Sequence, residues 1–137
     1  MNGRLELTLP NRESAVGDLQ DQLEAFGRQQ GLGPRVLHEA QLALEEHLTN
    51  IISHGYDDTL EHQIKVVVIL SASELHIQVE DDGRPFNPLE QPAPDLSKPF
   101  EERPVGGLGI HMMRQSLDQL DYRRVDGKNI LGMIKRI

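Results

Sequence analysis

Apolar residues recur along the chain at two spacings, and each spacing predicts a kind of element. Leu5, Leu7 and Leu9 alternate with polar residues as far as Pro10, the period of a strand with one buried face. Val16, Leu19, Leu23 and Phe26 follow at helical spacing, with Asn11 or Ser14 placed to cap that helix and the glycine-rich GRQQGLGP placed to end it. Leu37, Ala40, Leu44, Leu48 and Ile51 mark a second helix from Pro34 to His54, stopped by Gly55. Alternation returns in Ile64, Val66, Val68 and Leu70 and again in Leu75, Ile77 and Val79, with the polar SAS between them, which predicts a hairpin. Ile110, Met113, Leu117 and Leu120 predict a third helix, and a last pair of strands meets across DGKN at residues 126–129.

Residues 81–109 break the pattern. They carry six of the eight prolines, at 85, 88, 92, 94, 99 and 104, and glycines at 83, 106, 107 and 109. A loop this long inside a domain points to disorder or to a functional lid. No repeat and no second domain is visible, so residues 1–137 are expected to form one domain. The element order predicts an α+β two-layer sandwich, with helices on one face of a mixed, mostly antiparallel sheet.

Composition narrows the chemistry. The absence of cysteine excludes a disulfide framework, a thiolate metal site and a cysteine nucleophile. No leader-like segment opens the chain and no apolar run is long enough to span a bilayer, so a soluble cytoplasmic protein without a membrane partner is expected. A net charge of −8 argues against direct binding to nucleic acid. A single nucleotide stays compatible with that charge, because helix N-termini, backbone amides and a divalent cation hold phosphates without a basic surface.

Three segments carry candidate chemistry. LEEHLTNIISHGY, residues 44–56, places Glu46 and Asn50 one turn apart, roughly opposite the Leu44, Leu48 and Ile51 stripe. Alone, that pair reads first as the solvated side of an amphipathic helix. His38, His47 and His54 lie on or near the same helix, but without HExxH or a third ligand at a recognised spacing they do not make a transition-metal site, and His54 is placed to meet the terminal carbonyls. VEDDGRPFNP, residues 79–88, puts Asp81 at a strand end two residues before Gly83. The carboxylate is an acceptor for an exocyclic amine and the glycine admits flat aromatic surface, although D-x-G alone also suits a plain turn. VGGLGIHMM, residues 105–113, sets three glycines directly before a helix. This exposes amides to an anion, or simply makes a flexible start to the helix.

Taken together and in this order, the three segments resemble the N-box and the two glycine boxes of the Bergerat-fold (GHKL) ATPases, among them gyrase, MutL and histidine-kinase catalytic domains. Within that group EEHLTNIISHGY, DDGRPFNP, GGLGIHMMRQSLDQLDYRR and the closing GKNILGMIKR are most similar to the stand-alone anti-sigma-factor serine kinases. The resemblance runs from Leu5 to Arg136. It implies an ATP lid at about residues 87–107, with Glu46 as general base and Asn50 as the oxygen ligand of Mg²⁺ on the ATP triphosphate. Asp81 would take the adenine amine, Gly83 and Phe86 would line the base pocket, and Gly106, Gly107, Leu108, Gly109 and Ile110 would close on the phosphates. Pro85 stands where many relatives have glycine, and Asn129 where several have threonine near adenine. Lys98, Arg103 and His111 are further candidates near the lid.

The function this resemblance implies is an ATP-dependent serine kinase, usually a homodimer, that phosphorylates an anti-anti-sigma (STAS-domain) partner and sequesters a sigma factor. A non-catalytic ATP-binding regulatory module is the principal alternative. A histidine-kinase catalytic domain would need a phosphoacceptor hairpin before the N-box, and a gyrase-like ATPase a transducer after Ile137.

Overall fold

The computed structural model describes residues 2–90 and 107–137. Along the chain run β1 (Gly3–Pro10), α1 (Glu13–Gln29), α2 (Pro34–His54), β2 (Gln63–Leu70), β3 (Glu74–Asp81), α3 (Gly107–Ser116), β4 (Gln119–Val125) and β5 (Lys128–Arg136), with a short 3-10 turn at Pro88–Glu90. The strands form one sheet in the order β1-β2-β3-β5-β4. All four pairings among the described residues are antiparallel, so the expected mostly antiparallel sheet has no parallel pair there.

Register explains why one face of this sheet is the core. Leu7 pairs with Val66, Val66 with Val79, Val79 with Leu131 and Leu131 with Tyr122, one apolar row crossing all five strands. Leu5, Val68, Ile77, Met133 and Leu120 make the next row. Against these rows pack Leu19 and Leu23 of α1, Leu44 and Leu48 of α2, and Met113 of α3, all nearly inaccessible to solvent. Burying full side chains of this kind contributes about 1.5–3 kcal/mol each, which is what holds the helices down. The other sheet face is polar along β1, where Arg4 bonds Glu6 and Glu6 meets Lys65.

Local signals fared unevenly. The α1 stop is a Schellman turn: Gly31 takes a φ of 74°, Leu32 N–H donates to Gly27 at 2.8 Å and Gly31 N–H to Arg28 at 3.2 Å. Neither Asn11 nor Ser14 caps its start; the cap position is Arg12, and Asn11 Oδ1 instead accepts from His62 N–H at 2.9 Å, tying β1 to the start of β2. The third helix also stops earlier than its spacing predicts. It ends at Ser116, and Leu120 belongs to β4, where it pairs with Met133 and packs, partly buried, against the core. The β4–β5 turn has positive φ at both Asp126 and Gly127, 51° and 77°, as a two-residue hairpin of the right twist requires.

Candidate functional site

The apolar rows of the inner sheet face end in a polar one. Beyond Val79, Leu131 and Tyr122 the same face continues with Asp81, Asn129 and Arg124, and Asp81 is directly paired with Asn129 in the β3–β5 register. At this edge a cavity of about 200 Å³ opens between the sheet end, α2 and α3. The helix α2 lines it with His47, Asn50, Ile51 and His54, residues spaced by three, four and seven and therefore on one stripe between the core face and the solvated face. Asp81, Arg84, Pro85 and Phe86 line it from the end of β3 and the following loop, Ile110 from α3, and Asn129 from β5.

The sheet wall is densely bonded. Asp81 Oδ1 accepts from Gly83 N–H at 2.9 Å and from Asn129 Nδ2 at 3.0 Å. Asn129 Nδ2 also donates to the Arg84 carbonyl at 2.9 Å, while its Oδ1 accepts from the Tyr122 hydroxyl at 2.5 Å, Arg124 at 3.1 Å and Phe86 N–H at 3.3 Å. Burial pushes the Asp81 carboxyl above its ordinary range, against the hydrogen bonds from Asn129 and Gly83 that favour the anion. Gly83 stands beside this carboxylate and is not among the residues lining the cavity. A Cβ there would meet the Gly55 carbonyl at 2.8 Å and Asp81 Oδ1 at 2.9 Å. Arg84 N–H closes the same approach by donating to Gly55 at 2.8 Å, so the loop and the end of α2 pack as only glycine allows.

The helix wall is sparsely bonded. Asn50 Nδ2 donates to Glu46 Oε1 at 3.2 Å, and among the described residues nothing occupies the Asn50 oxygen, which can accept or ligate a cation. Glu46 itself faces an adjoining groove between α2 and α3, shared with Leu42, Thr49, Met112 and Ser116. His47 is 3% exposed, and neither ring nitrogen has a hydrogen-bond partner among the described residues. Burial alone pushes its pKa down to about 4, so the imidazole is neutral. His54 is exposed at the cavity mouth; the Ile51 carbonyl is taken by Gly55 N–H at 2.8 Å.

The structure therefore brings Asn50, Asp81, Phe86 and Ile110 to one cavity, with Glu46 one groove away and hydrogen-bonded to Asn50. Gly107, Leu108 and Gly109 form the first turn of α3, just before Ile110. Gly106, Lys98, Arg103 and most of the expected lid lie outside the described residues; His111 is half-buried on α3. Seven lining residues stood outside the candidate set: His47, Ile51, His54, Gly55, Arg84, Pro85 and Asn129, of which Pro85 and Asn129 were noted only as departures from the resemblance. Helical spacing from Asn50 and Ile51 suffices to find the two histidines. Arg84 lies in the same loop segment as Asp81 and Phe86, whereas Asn129 is placed by pairing between strands far apart in sequence, which no local pattern reveals.

This donor set fits a flat, amine-bearing heterocycle with an anionic tail. A carboxylate acceptor lies at the buried end, Ile51, Phe86 and Ile110 supply apolar walls, and an amide oxygen stands nearer the rim. Among the described residues no three His, Cys, Asp or Glu side chains converge to hold a metal by themselves. A cation at Asn50 would take its remaining ligands from phosphate and water, as Mg²⁺ readily does.

Comparison with known proteins agrees with the fold. The serine-protein kinase RsbW of Bacillus thuringiensis is 26% identical over 132 residues, covering 93% of this chain and 82% of that protein, and RsbW of Bacillus anthracis matches equally. A crystal structure of the RsbU and RsbW domains of Rv1364c from Mycobacterium tuberculosis superposes with a TM-score of 0.72 at 17% identity, over 98% of this chain and 32% of that one. The histidine kinase domain of the blue-light activated kinase from Erythrobacter litoralis EL346 gives 0.54 at 17% identity, over 89% of this chain and 59% of that one. The chain thus spans about a third of the first solved structure and under two thirds of the second, and those likenesses concern the fold. The family model for the histidine kinase-like ATPase domain matches residues 9–135, and the chain belongs to that family.

Proposed function

We propose that the cavity binds ATP with Mg²⁺ and that the protein is a serine kinase and anti-sigma factor, acting on a serine of an anti-anti-sigma (STAS-domain) partner and holding a sigma factor in the alternative complex. The observation that carries this reading is the position of Glu46. Its carboxylate stands outside the nucleotide cavity, in the groove between α2 and α3, yet is hydrogen-bonded to Asn50 inside it. A base in that position meets a hydroxyl arriving from a second protein while the nucleotide stays in its own pocket.

In this reading Asp81 accepts the adenine amine, Phe86 and Ile110 flank the base, Gly83 holds the loop close, and Gly107, Leu108 and Gly109 present amides to the phosphates at the start of α3, with Gly106, outside the described residues, assigned to the same role. Asn50 offers its oxygen to Mg²⁺, which neutralises charge on the phosphates. The serine oxygen forms the new bond to the γ-phosphorus as the bond to the β,γ-bridging oxygen breaks. Its proton passes to Glu46, and ADP departs. The proposal extends to a cytoplasmic homodimer without nucleic-acid or membrane contacts; no helix among the described residues is long and apolar enough to cross a membrane.

Calorimetric titration with ATP, first with Mg²⁺ and then with EDTA, tests the site. Saturable binding that weakens without the metal and in Asn50→Ala is expected; wild-type protein that binds no ATP under either condition overturns the reading. Transfer of labelled phosphate to a STAS-domain protein then separates a kinase from a module that only binds.

A further inference from the structure

His47 is a buried polar group that none of the described residues satisfies. Both nitrogens of its ring lack partners among the described residues, although the side chain is 3% exposed. An unsatisfied buried donor or acceptor destabilises a fold, and an aliphatic side chain at this position of α2 would avoid that cost. Such a group is explained where a ligand or an ordered water completes its hydrogen bonds. His47 lines the same cavity as Asp81 and Asn50, so a ligand is at hand.

Depth decides which part of a nucleotide it meets. His47 and Asp81 share the buried end of the cavity at 3% exposure each, with Ile110 at 4%. Asn50 and Phe86 are half-buried, and His54 and Arg84 are exposed at the mouth. A triphosphate and its hydrated cation belong at the solvated end beside Asn50, which leaves the buried end to the flat base. The two buried groups differ in what they recognise. An ionised carboxylate only accepts, whereas a neutral imidazole offers one N–H and one lone pair. Asp81 therefore reads an exocyclic amine, and His47 is equipped to read a ring nitrogen beside it.

We propose that His47 hydrogen-bonds a ring nitrogen of the bound purine, directly or through one ordered water, and with Asp81 selects the base. The inference rests on the ATP reading above and adds to it a contact made by a residue of this chain outside the motif pair Glu46 and Asn50.

The test compares wild type with His47→Leu in two measurements. Thermal unfolding of the ligand-free proteins should show the variant at least as stable as wild type, since it removes unsatisfied groups. Calorimetry should show it binding ATP roughly tenfold more weakly, the size expected for one hydrogen bond to a buried neutral partner. Titrating both proteins with 1-deaza-, 3-deaza- and 7-deaza-ATP locates the contact: wild type should lose a similar factor with one analogue, to which the variant is indifferent. Equal ATP affinity for the two proteins, or parallel losses across all analogues, would overturn the role of His47 while leaving the ATP site standing. A wild type that binds no ATP would instead remove the underlying reading. Nitrogen-15 spectra of the wild-type imidazole make the test independent of how the variant folds, because ring resonances unmoved by saturating ATP also overturn the proposal.

Discussion

The two walls of the cavity are built on opposite principles. On the sheet side, Asn129 alone joins β5 to Asp81, Arg84, Phe86, Tyr122 and Arg124, so the polar groups there satisfy one another. On the helix side, Asn50 has Glu46 as its one partner among the described residues and His47 has none. The first wall is a finished piece of protein structure that fixes the position of one carboxylate. The second keeps its hydrogen-bonding capacity unspent, which is the condition for ligand chemistry. Substitutions in the sheet wall should therefore lower stability first, and substitutions in the helix wall should lower function first.

The largest expected effect lies on the helix side. Removing a positioned general base typically lowers transfer by about 10²- to 10⁴-fold. Glu46→Ala should show a loss of that order in phosphate transfer to a STAS-domain partner, with ATP affinity and unfolding midpoint close to wild type. A variant that loses ATP binding as well would place Glu46 among the groups that hold the nucleotide and blur the division between cavity and groove.

On the sheet side the corresponding change is Asn129→Ala. It deletes six partners at once and leaves Asp81, Tyr122 and the Phe86 N–H to find others in a site that is 5% exposed at its centre. Unsatisfied buried groups cost about 1–3 kcal/mol each, and some will recover water at the cavity surface, so a destabilisation of roughly 2–3 kcal/mol in urea unfolding of the ligand-free protein is expected. An unfolding curve that coincides with wild type would mean that the network is not what holds this wall in place.

The difference between the walls also accounts for what was legible in the chain. Helix-wall residues lie within one element, where a period of about 3.6 residues places Asn50, Ile51 and His54 relative to His47 without knowledge of anything else. Strand and helix existence followed from the same periodicity, from Leu5 to Leu9 and from Leu37 to Ile51. The sheet wall depends on β3 lying beside β5, a pairing between residues 48 apart at Asp81 and Asn129. Alternation predicts that both strands exist and does not say that they are neighbours. Tertiary pairing likewise overruled the helical spacing at Leu120, and a cross-strand bond claimed the Asn11 side chain that a helix N-terminus would otherwise have used. The motif segments nevertheless carried the family, because their order preserves the long-range geometry that periodicity cannot express.

The smallest expected effect comes from a cluster behind the sheet wall, and it sharpens the contrast because its groups titrate. His62 Nε2 lies 2.8 Å from Asp58 and Nδ1 lies 3.3 Å from Asp82, the residue after Asp81, so only the imidazolium can donate to both. The hydrogen bond to Asp58 raises the His62 pKa above its ordinary 6.5, outweighing partial burial, with Asp82 adding to the rise. Burial pushes Asp82 upward, but hydrogen bonds from His62 and from Tyr56, at 3.0 Å, together hold it below 3.8. A raised histidine contributes stability fully below its unfolded pKa and loses it as pH rises through the folded value; a lowered aspartate contributes above its unfolded pKa and loses it as pH falls through its folded value. The cluster should therefore stabilise between those limits. His62→Phe preserves the stacking on Tyr56, whose ring centroid is 4.1 Å away, and removes the charge. The stability gap between wild type and this variant should be widest near pH 5–6 and narrow as the pH rises well above 6.5 and His62 loses its proton. A gap that stays constant over that range would show that His62 acts through packing against Tyr56 and not through its charge, and would leave the sheet wall independent of pH.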